Sequence, residues 1–178
     1  KHIDNDKRTI CGNNIWTITE DLNGKLWVGA YGAGISQYDN KNDCFSSITK
    51  KEGLPNNGIT SILCNGSNNL WLGTDKGLLR YNQKKNTFRV YNTDDGFANN
   101  EYSFHAYYKC KDGSLLFGGL NGFSKFYPDS IVQNKRIPNI VITSFKIHEK
   151  EIYTELNDGD TVNIDWSNKY FSFEYAIL

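Results

Sequence analysis

Short alternations of apolar and polar residues, each closed by a cluster of Asn, Asp and Gly, run through most of the chain. "IWTITE" (Ile15 to Glu20), "KLWVG" (Lys25 to Gly29), "GISQYD" (Gly34 to Asp39) and "CFSSI" (Cys44 to Ile48) are rich in β-branched and aromatic residues. That pattern predicts four strands. Between them "DLNG", "AYGA" and "NKND" supply residues that tolerate tight turns and positive φ. The pattern then repeats. Trp27-Val28-Gly29 returns as Trp71-Leu72-Gly73 after 44 residues and as Leu116-Phe117-Gly118 after 45 more. Gly34, Gly77 and Gly122 keep the same step, as do Tyr38, Tyr81 and Phe126, and Phe45 matches Phe88. "NNIWTI", "NNGITSI" and "NNEYSF" stand ahead of the three units.

Four antiparallel strands in about 44 residues make one blade of a β-propeller, a sheet that buries its faces only against neighbouring blades. The repeats lie near 14–48, 57–91 and 100–131. Trp27, Trp71 and their counterpart Leu116, with Phe117 beside it, are expected on the second strand, where large side chains fill the wedge between sheets. Gly29, Gly73 and Gly118 are expected to let the backbone turn without a β-carbon, and Tyr38, Tyr81 and Phe126 to pack from the third strand. Three blades do not close a ring, since propellers use about four to eight. Either several chains share one assembly or, as is expected here, this is the C-terminal part of a longer propeller, in which residues 1 to 10 could supply the outer strand of a preceding blade.

After Tyr127-Pro128 the repeat stops. Val141, Thr143, Phe145 and Ile147 alternate as one strand face, "TVNIDW" follows, and Phe171, Phe173 and Tyr175 share a face in "KYFSFEYAIL". These residues predict the start of a sandwich-like β-domain. The boundary is expected near Asn134 to Pro138, giving propeller blades over 1–134 and the second domain over 135–178.

Charge and composition narrow the function. Twenty Lys and Arg balance twenty Asp and Glu among 178 residues. No basic stripe exists for a phosphate backbone, which argues against nucleic acid. No apolar run reaches the roughly 18–20 residues needed to span a bilayer, and "KHIDNDKRTI" is not a signal peptide. Cys11, Cys44, Cys64 and Cys110 are far apart in sequence and form no Cys-x-x-Cys, so they are expected as free, buried, small side chains. His2, His105 and His148 are equally scattered, and neither a metal site nor a cofactor is expected. An enzyme would need convergent carboxylates or a His-centred constellation. Asp21, Asp39 and Asp112 instead fall in or beside hairpin turns. Contacts to a ligand or a partner are expected on the loops of one face: Ala30 to Ala33, Asp75 to Lys76, Leu120 to Asn121, and the crossings "KKEGLPNN" and "TDDGFANNE". Tyr31 is a candidate to stack on a sugar ring, and Asp75, Lys76, Asn100 and Glu101 to bond hydroxyls. Asn14, Asn57 and Asn100 also suit capping of backbone groups where each blade begins. A flat propeller face equally suits a protein-interaction scaffold that binds no small ligand.

"NNIWTITEDLNGKLWVGAYGAGISQYD" and "NNGITSILCNGSNNLWLGTDKGLLRYN" resemble the two-component-regulator propeller repeat. "NNEYSFHAYYKCKDGSLLFGGLNGFSKFYPDSI" is similar to the variant that ends such propellers. "IVITSFKIHEKEI" with "NKYFSFEYAIL" resembles the immunoglobulin-like domain, named for its tyrosines, that follows the last blade in hybrid two-component sensors of gut Bacteroidetes. Ala30 departs from the usual Thr, and Asn65 from the Asp of the first turn. The resemblance implies a periplasmic sensor region of an inner-membrane hybrid histidine kinase. Such a parent acts as a homodimer, responds to oligosaccharides and controls genes for polysaccharide use. It also implies that no kinase, receiver or DNA-binding segment lies in these residues, so that this stretch senses or relays and does not phosphorylate.

Overall fold

The computed structural model describes residues 1–66, 68–131, 139–147, 150–153, 159–168 and 170–177. The chain divides into two compact units, residues 1–131 and 132–178. The boundary expected near Asn134 to Pro138 lies outside the described residues.

In the first unit each repeat becomes one antiparallel sheet. Strands β1 (Ile15–Glu20), β2 (Leu26–Ala30), β3 (Gly34–Asp39) and β4 (Cys44–Ile48) form the first meander, in chain order. Strands β5 (Ile59–Cys64), β6 (Asn69–Thr74), β7 (Gly77–Asn82) and β8 (Thr87–Tyr91) form the second. The third holds β9 (Tyr107–Lys109), β10 (Leu115–Gly119) and β11 (Gly122–Phe126), with no fourth strand after β11 among the described residues. A one-turn 3-10 helix at Pro128–Ser130 stands in its place. Residues 1 to 10 form no strand. They lie along β4, where the Phe45 N–H donates to the Arg8 carbonyl (2.8 Å).

Two apolar clusters join the blades, and the repeated residues build both. Trp27 of β2 reaches across to Leu70, Leu72 and Tyr81 of the second blade, meeting the Tyr81 ring edge-on at 6.0 Å. Trp71 of β6 does the same to Leu115, Phe117 and Phe126 of the third, its ring 4.8 Å from that of Phe126. The tryptophan of one blade therefore covers the third-strand aromatic of the next. Both indoles are essentially fully buried, and sheets of this size gain most of their stability from such burial. Leu116 holds the equivalent register in the third blade, paired with Lys125 as Trp71 is with Arg80, but stays half-buried.

Gly29 and Gly73 serve a purpose other than the expected turn. Each sits within a strand opposite a β-bulge, at the pairs Thr17↔Gly29 and Ser61↔Gly73. A β-carbon at Gly29 would stand 2.8 Å from Ile59 Cγ2, and one at Gly73 would press on the Ser61 hydroxyl and Tyr102. The absent side chain lets inner strands of neighbouring blades approach. Positive φ matters instead at Gly77 (φ 99°), where an added β-carbon would also lie 2.7 Å from the Tyr91 carbonyl oxygen. Gly77→Ala is expected to lower stability by about 1–3 kcal/mol. Gly122→Ala has the same backbone demand (φ 97°) but open space around it, and should cost less. Urea unfolding of the two variants measures the difference; equal losses would show that the clash contributes nothing.

The crossings between blades share one design. In each, a single 3-10 turn (Lys50–Glu52, Thr93–Asp95) is closed by a reciprocal capping box, Thr49 with Glu52 and Asn92 with Asp95. Asn57 Oδ1 then accepts from the Lys50 N–H and Asn100 Oδ1 from the Thr93 N–H, both at 2.9 Å.

The second unit is a three-stranded antiparallel sheet in the order β13-β12-β14, from β12 (Ile140–Ile147), β13 (Lys150–Tyr153) and β14 (Phe171–Ile177). Of the immunoglobulin-like sandwich expected here, the described residues show this one sheet. Residues 161–166, "TVNIDW", form no strand. A register shift between Ile142 and Ser144 breaks the expected alternation. Ile140 and Ile142 share a face with Phe145 and Ile147, opposite Ile177, Tyr175, Phe173 and Phe171, whereas Val141 pairs with Ala176 on the other side. One extra residue at a bulge moves every following side chain to the opposite face.

Candidate functional site

Of the expected ligand contacts, Tyr31 is the one that lies in an aromatic group. The Tyr31 N–H donates to the Asn14 carbonyl (3.0 Å), which fixes the β2–β3 turn over the start of β1. Its ring then stacks on Trp16 of β1, with centroids 4.0 Å apart and planes 14° from parallel. Phe104, from the third blade, packs on Trp16 as well, tilted by 57° at 4.8 Å, and His105 meets Phe104 edge-to-face at 5.6 Å. Asn14 Oδ1 accepts the indole Nε1–H of Trp16 (3.0 Å), which orients the central ring. Tyr31 and Phe104 remain 39% and 55% exposed, so the two outer rings are open to a ligand. The group therefore joins the first blade to the third, past the second. Below it, the Thr17 hydroxyl links the Tyr107 phenol (3.2 Å) and the Ile62 N–H (3.2 Å), so the inner strands of all three blades converge there.

Trp16, Phe104 and His105 were not marked by the repeat, because they break it. Trp16 occupies the β1 position that Thr60 fills in β5. Phe104 and His105 belong to an insertion: Asn57 to Asn65 is eight steps, whereas Asn100 to Cys110 is ten. The inner strand of the third blade absorbs the surplus as an outward loop. Gly118 O accepts from Ser103 N–H (3.0 Å) and Gly118 N–H donates to Ala106 O (2.7 Å), which leaves Phe104 and His105 protruding, with His105 at φ 60°. The length mismatch is the signal in the sequence that marks them.

The other candidates are placed differently. Asp75 is partly buried and accepts a hydrogen bond from the Asn56 amide, whose own oxygen takes the Gly58 N–H (2.9 Å). Asn99, its counterpart in the next blade, bonds backbone groups instead, donating to Gly122 O (3.1 Å) and accepting from Asn121 N–H (2.9 Å). The Asn100 side-chain oxygen is held by Thr93 and its carbonyl by the Gly77 N–H. Lys76 and Glu101 are exposed.

The turn carboxylates are occupied by local donors. Asp21 is buried. Burial pushes its carboxyl upward, but hydrogen bonds from the Trp27 indole (3.1 Å) and the Lys25 and Asn23 N–H groups outweigh that and hold it below its usual range. Asp39 is lowered by Asn42 and the Lys41 N–H. Asp112 lies well below the ordinary carboxylate range because of the Ser114 hydroxyl and N–H, aided by Tyr127 and Lys125. Among the described residues no group of three or more His, Cys, Asp or Glu is placed to hold a metal. The four cysteines are free; Cys64 is buried, but Cys11, Cys44 and Cys110 are only half-buried, contrary to expectation. No helix among the described residues is long and apolar enough to cross a membrane.

Comparison with known proteins gives this architecture its class. Residues 53–76, which run from the first crossing through β5 and β6, match the family described as "Two component regulator propeller". The first unit thus has the β-propeller fold, and its residues 53–76 are similar to one two-component-regulator repeat. Over 182 residues the chain is 29% identical to Histidine kinase P4 of Formosa agariphila, across 97% of this chain. Among solved structures, the extracellular domain of the hybrid two component system BT3049 from B. thetaiotaomicron superposes with a TM-score of 0.59 at 19% identity, over 99% of this chain and 31% of that one. A catalytically inactive virginiamycin B lyase from Staphylococcus aureus shares the fold at a TM-score of 0.50 and 18% identity, over 77% of this chain and 44% of that one. The chain spans 13% of the length of the curated relative.

Proposed function

We propose that this chain belongs to the ligand-sensing and signal-relay region of a hybrid two-component sensor histidine kinase. It lies in the periplasm as part of an inner-membrane protein, senses oligosaccharides, and through them controls polysaccharide-utilisation genes. The observation that carries this reading is the two-component-regulator repeat at 53–76, inside a similarity to a histidine kinase that runs along almost the whole chain. The loops around Tyr31, Asp75, Lys76, Asn100 and Glu101 are the ligand side of the molecule. A ligand there acts by binding one arrangement of the homodimeric parent more tightly than another, and the blades, locked by Trp27 and Trp71, pass that preference on without deforming.

Isothermal calorimetry of the intact protein against a panel of plant and host oligosaccharides tests the reading. Saturable binding of at least one glycan is the expected result. Failure of the whole panel, together with tight binding of a protein, would replace sensing with scaffolding.

A further inference from the structure

Resting on the sensing reading, the geometry points to a particular contact surface and ligand chemistry: we propose that the Tyr31–Trp16–Phe104 stack binds the flat C–H face of an uncharged hexopyranose. A sugar ring whose hydroxyls are equatorial presents axial hydrogens on each face. Those hydrogens are made slightly positive by neighbouring oxygens and meet the negative face of an aromatic ring favourably. The exposed rings of Tyr31 and Phe104, both packed on Trp16, offer such faces.

A sugar face alone is not specific; its hydroxyls need partners at the edge of the ring. Asn14 is exposed and uses its side-chain oxygen on Trp16, which leaves its amide N–H groups at the rim, and the exposed His105 ring lies beside Phe104. The insertion that forces His105 to positive φ is what brings both Phe104 and His105 to the stack. Non-glycine residues at positive φ concentrate where function over-determines the backbone.

The absence of cations in the stack sets the charge of the ligand. Among the described residues, no Lys or Arg takes part in the ring contacts or hydrogen bonds of Trp16, Tyr31, Phe104 or His105. Gly58, which bridges to Tyr31, lies against the Asp75 carboxylate, and Lys76 in the same turn does no more than balance it. Sulfated or uronic sugars are held by clustered Arg and Lys. This rim would not attract them.

The intact protein is titrated with cellohexaose and laminarihexaose as uncharged probes, and with oligogalacturonate and a heparin hexasaccharide as charged ones. Tyr31→Ala and Phe104→Ala are compared at an unchanged thermal midpoint. An uncharged probe is expected to bind, each alanine to weaken it at least about tenfold, and Tyr31→Phe, which keeps the ring, to lose less than Tyr31→Ala. Binding that both alanines leave unaltered overturns the stack as the site and leaves oligosaccharide sensing intact. Binding of the charged probes alone overturns the ligand class and likewise spares sensing. No binding by any of the four probes overturns this proposal, whereas the sensing reading falls only if the wider oligosaccharide panel fails as well. Dissociation of a dimer by the two alanines would then make the stack a protein contact.

Discussion

Replacing Trp71 with alanine is expected to destabilise the first unit by about 3–5 kcal/mol, the range for truncating a fully buried large aromatic. Trp71 is the centre of the second inter-blade cluster. Its ring touches Phe126 across the interface and Tyr91 (5.4 Å) within its own blade, and the Arg80 guanidinium lies over it at 5.9 Å. Removing it leaves a cavity at the centre of the apolar cluster that the two sheets share. Trp71→Phe should lose considerably less. It keeps part of the wedge and removes the indole Nε1–H, which is buried and has no hydrogen-bond partner among the described residues. An unmet buried donor costs about 1–3 kcal/mol. Urea unfolding followed by far-UV circular dichroism gives both values. A loss below about 1 kcal/mol for the alanine variant would mean that the blades are not held by this wedge.

That wedge was legible because blade packing repeats with the chain. Trp27 and Trp71 recur 44 residues apart and Tyr81 and Phe126 45 apart, and the structure joins these counterparts into Trp27–Tyr81 and Trp71–Phe126. Residues outside the period were the ones that escaped. Trp16 replaces a small residue of the next blade, and Phe104 and His105 are surplus to the inner strand, so a reading built on matches passes over them. Tyr31 stands in a turn and is legible as such, but its stacking partner Trp16 comes from a strand of the same blade, and Phe104, which packs on Trp16, from a blade two repeats away. The β12 face failed for a related reason: alternation of Val141, Thr143, Phe145 and Ile147 is real in the sequence, yet a bulge at Thr143 re-aims half of it. Asn100 shows the reverse limit. A short amide suits either a ligand or a cap, and its engagement by Thr93 is a tertiary fact that composition does not carry.

Asp21 marks where the same repeat has been allowed to drift, and its removal gives the second large effect. In the first blade its carboxylate takes the Trp27 indole on one oxygen and the Asn23 and Lys25 N–H groups on the other, tying the β1–β2 turn to the wedge residue. In the second blade Asn65 holds that place and the Trp71 indole N–H goes unmet; in the third Cys110 holds it and the wedge residue has no polar atom. Asp21→Ala should therefore make the first blade resemble the second, orphaning a buried donor at about 1–3 kcal/mol and loosening the turn besides. The effect is also pH-linked. Because the folded carboxyl sits below its unfolded value of about 4, its contribution is complete above that pH and fades as pH falls through the folded value. The wild-type thermal midpoint should hold steady down to about pH 5 and then fall. Asp39, Asp112 and Glu52 add to that fall in the same direction. In Asp21→Asn, which keeps one acceptor but cannot ionise, the midpoint should start lower and drop less steeply. Parallel curves for the two proteins would show that the carboxylate charge does not stabilise the blade.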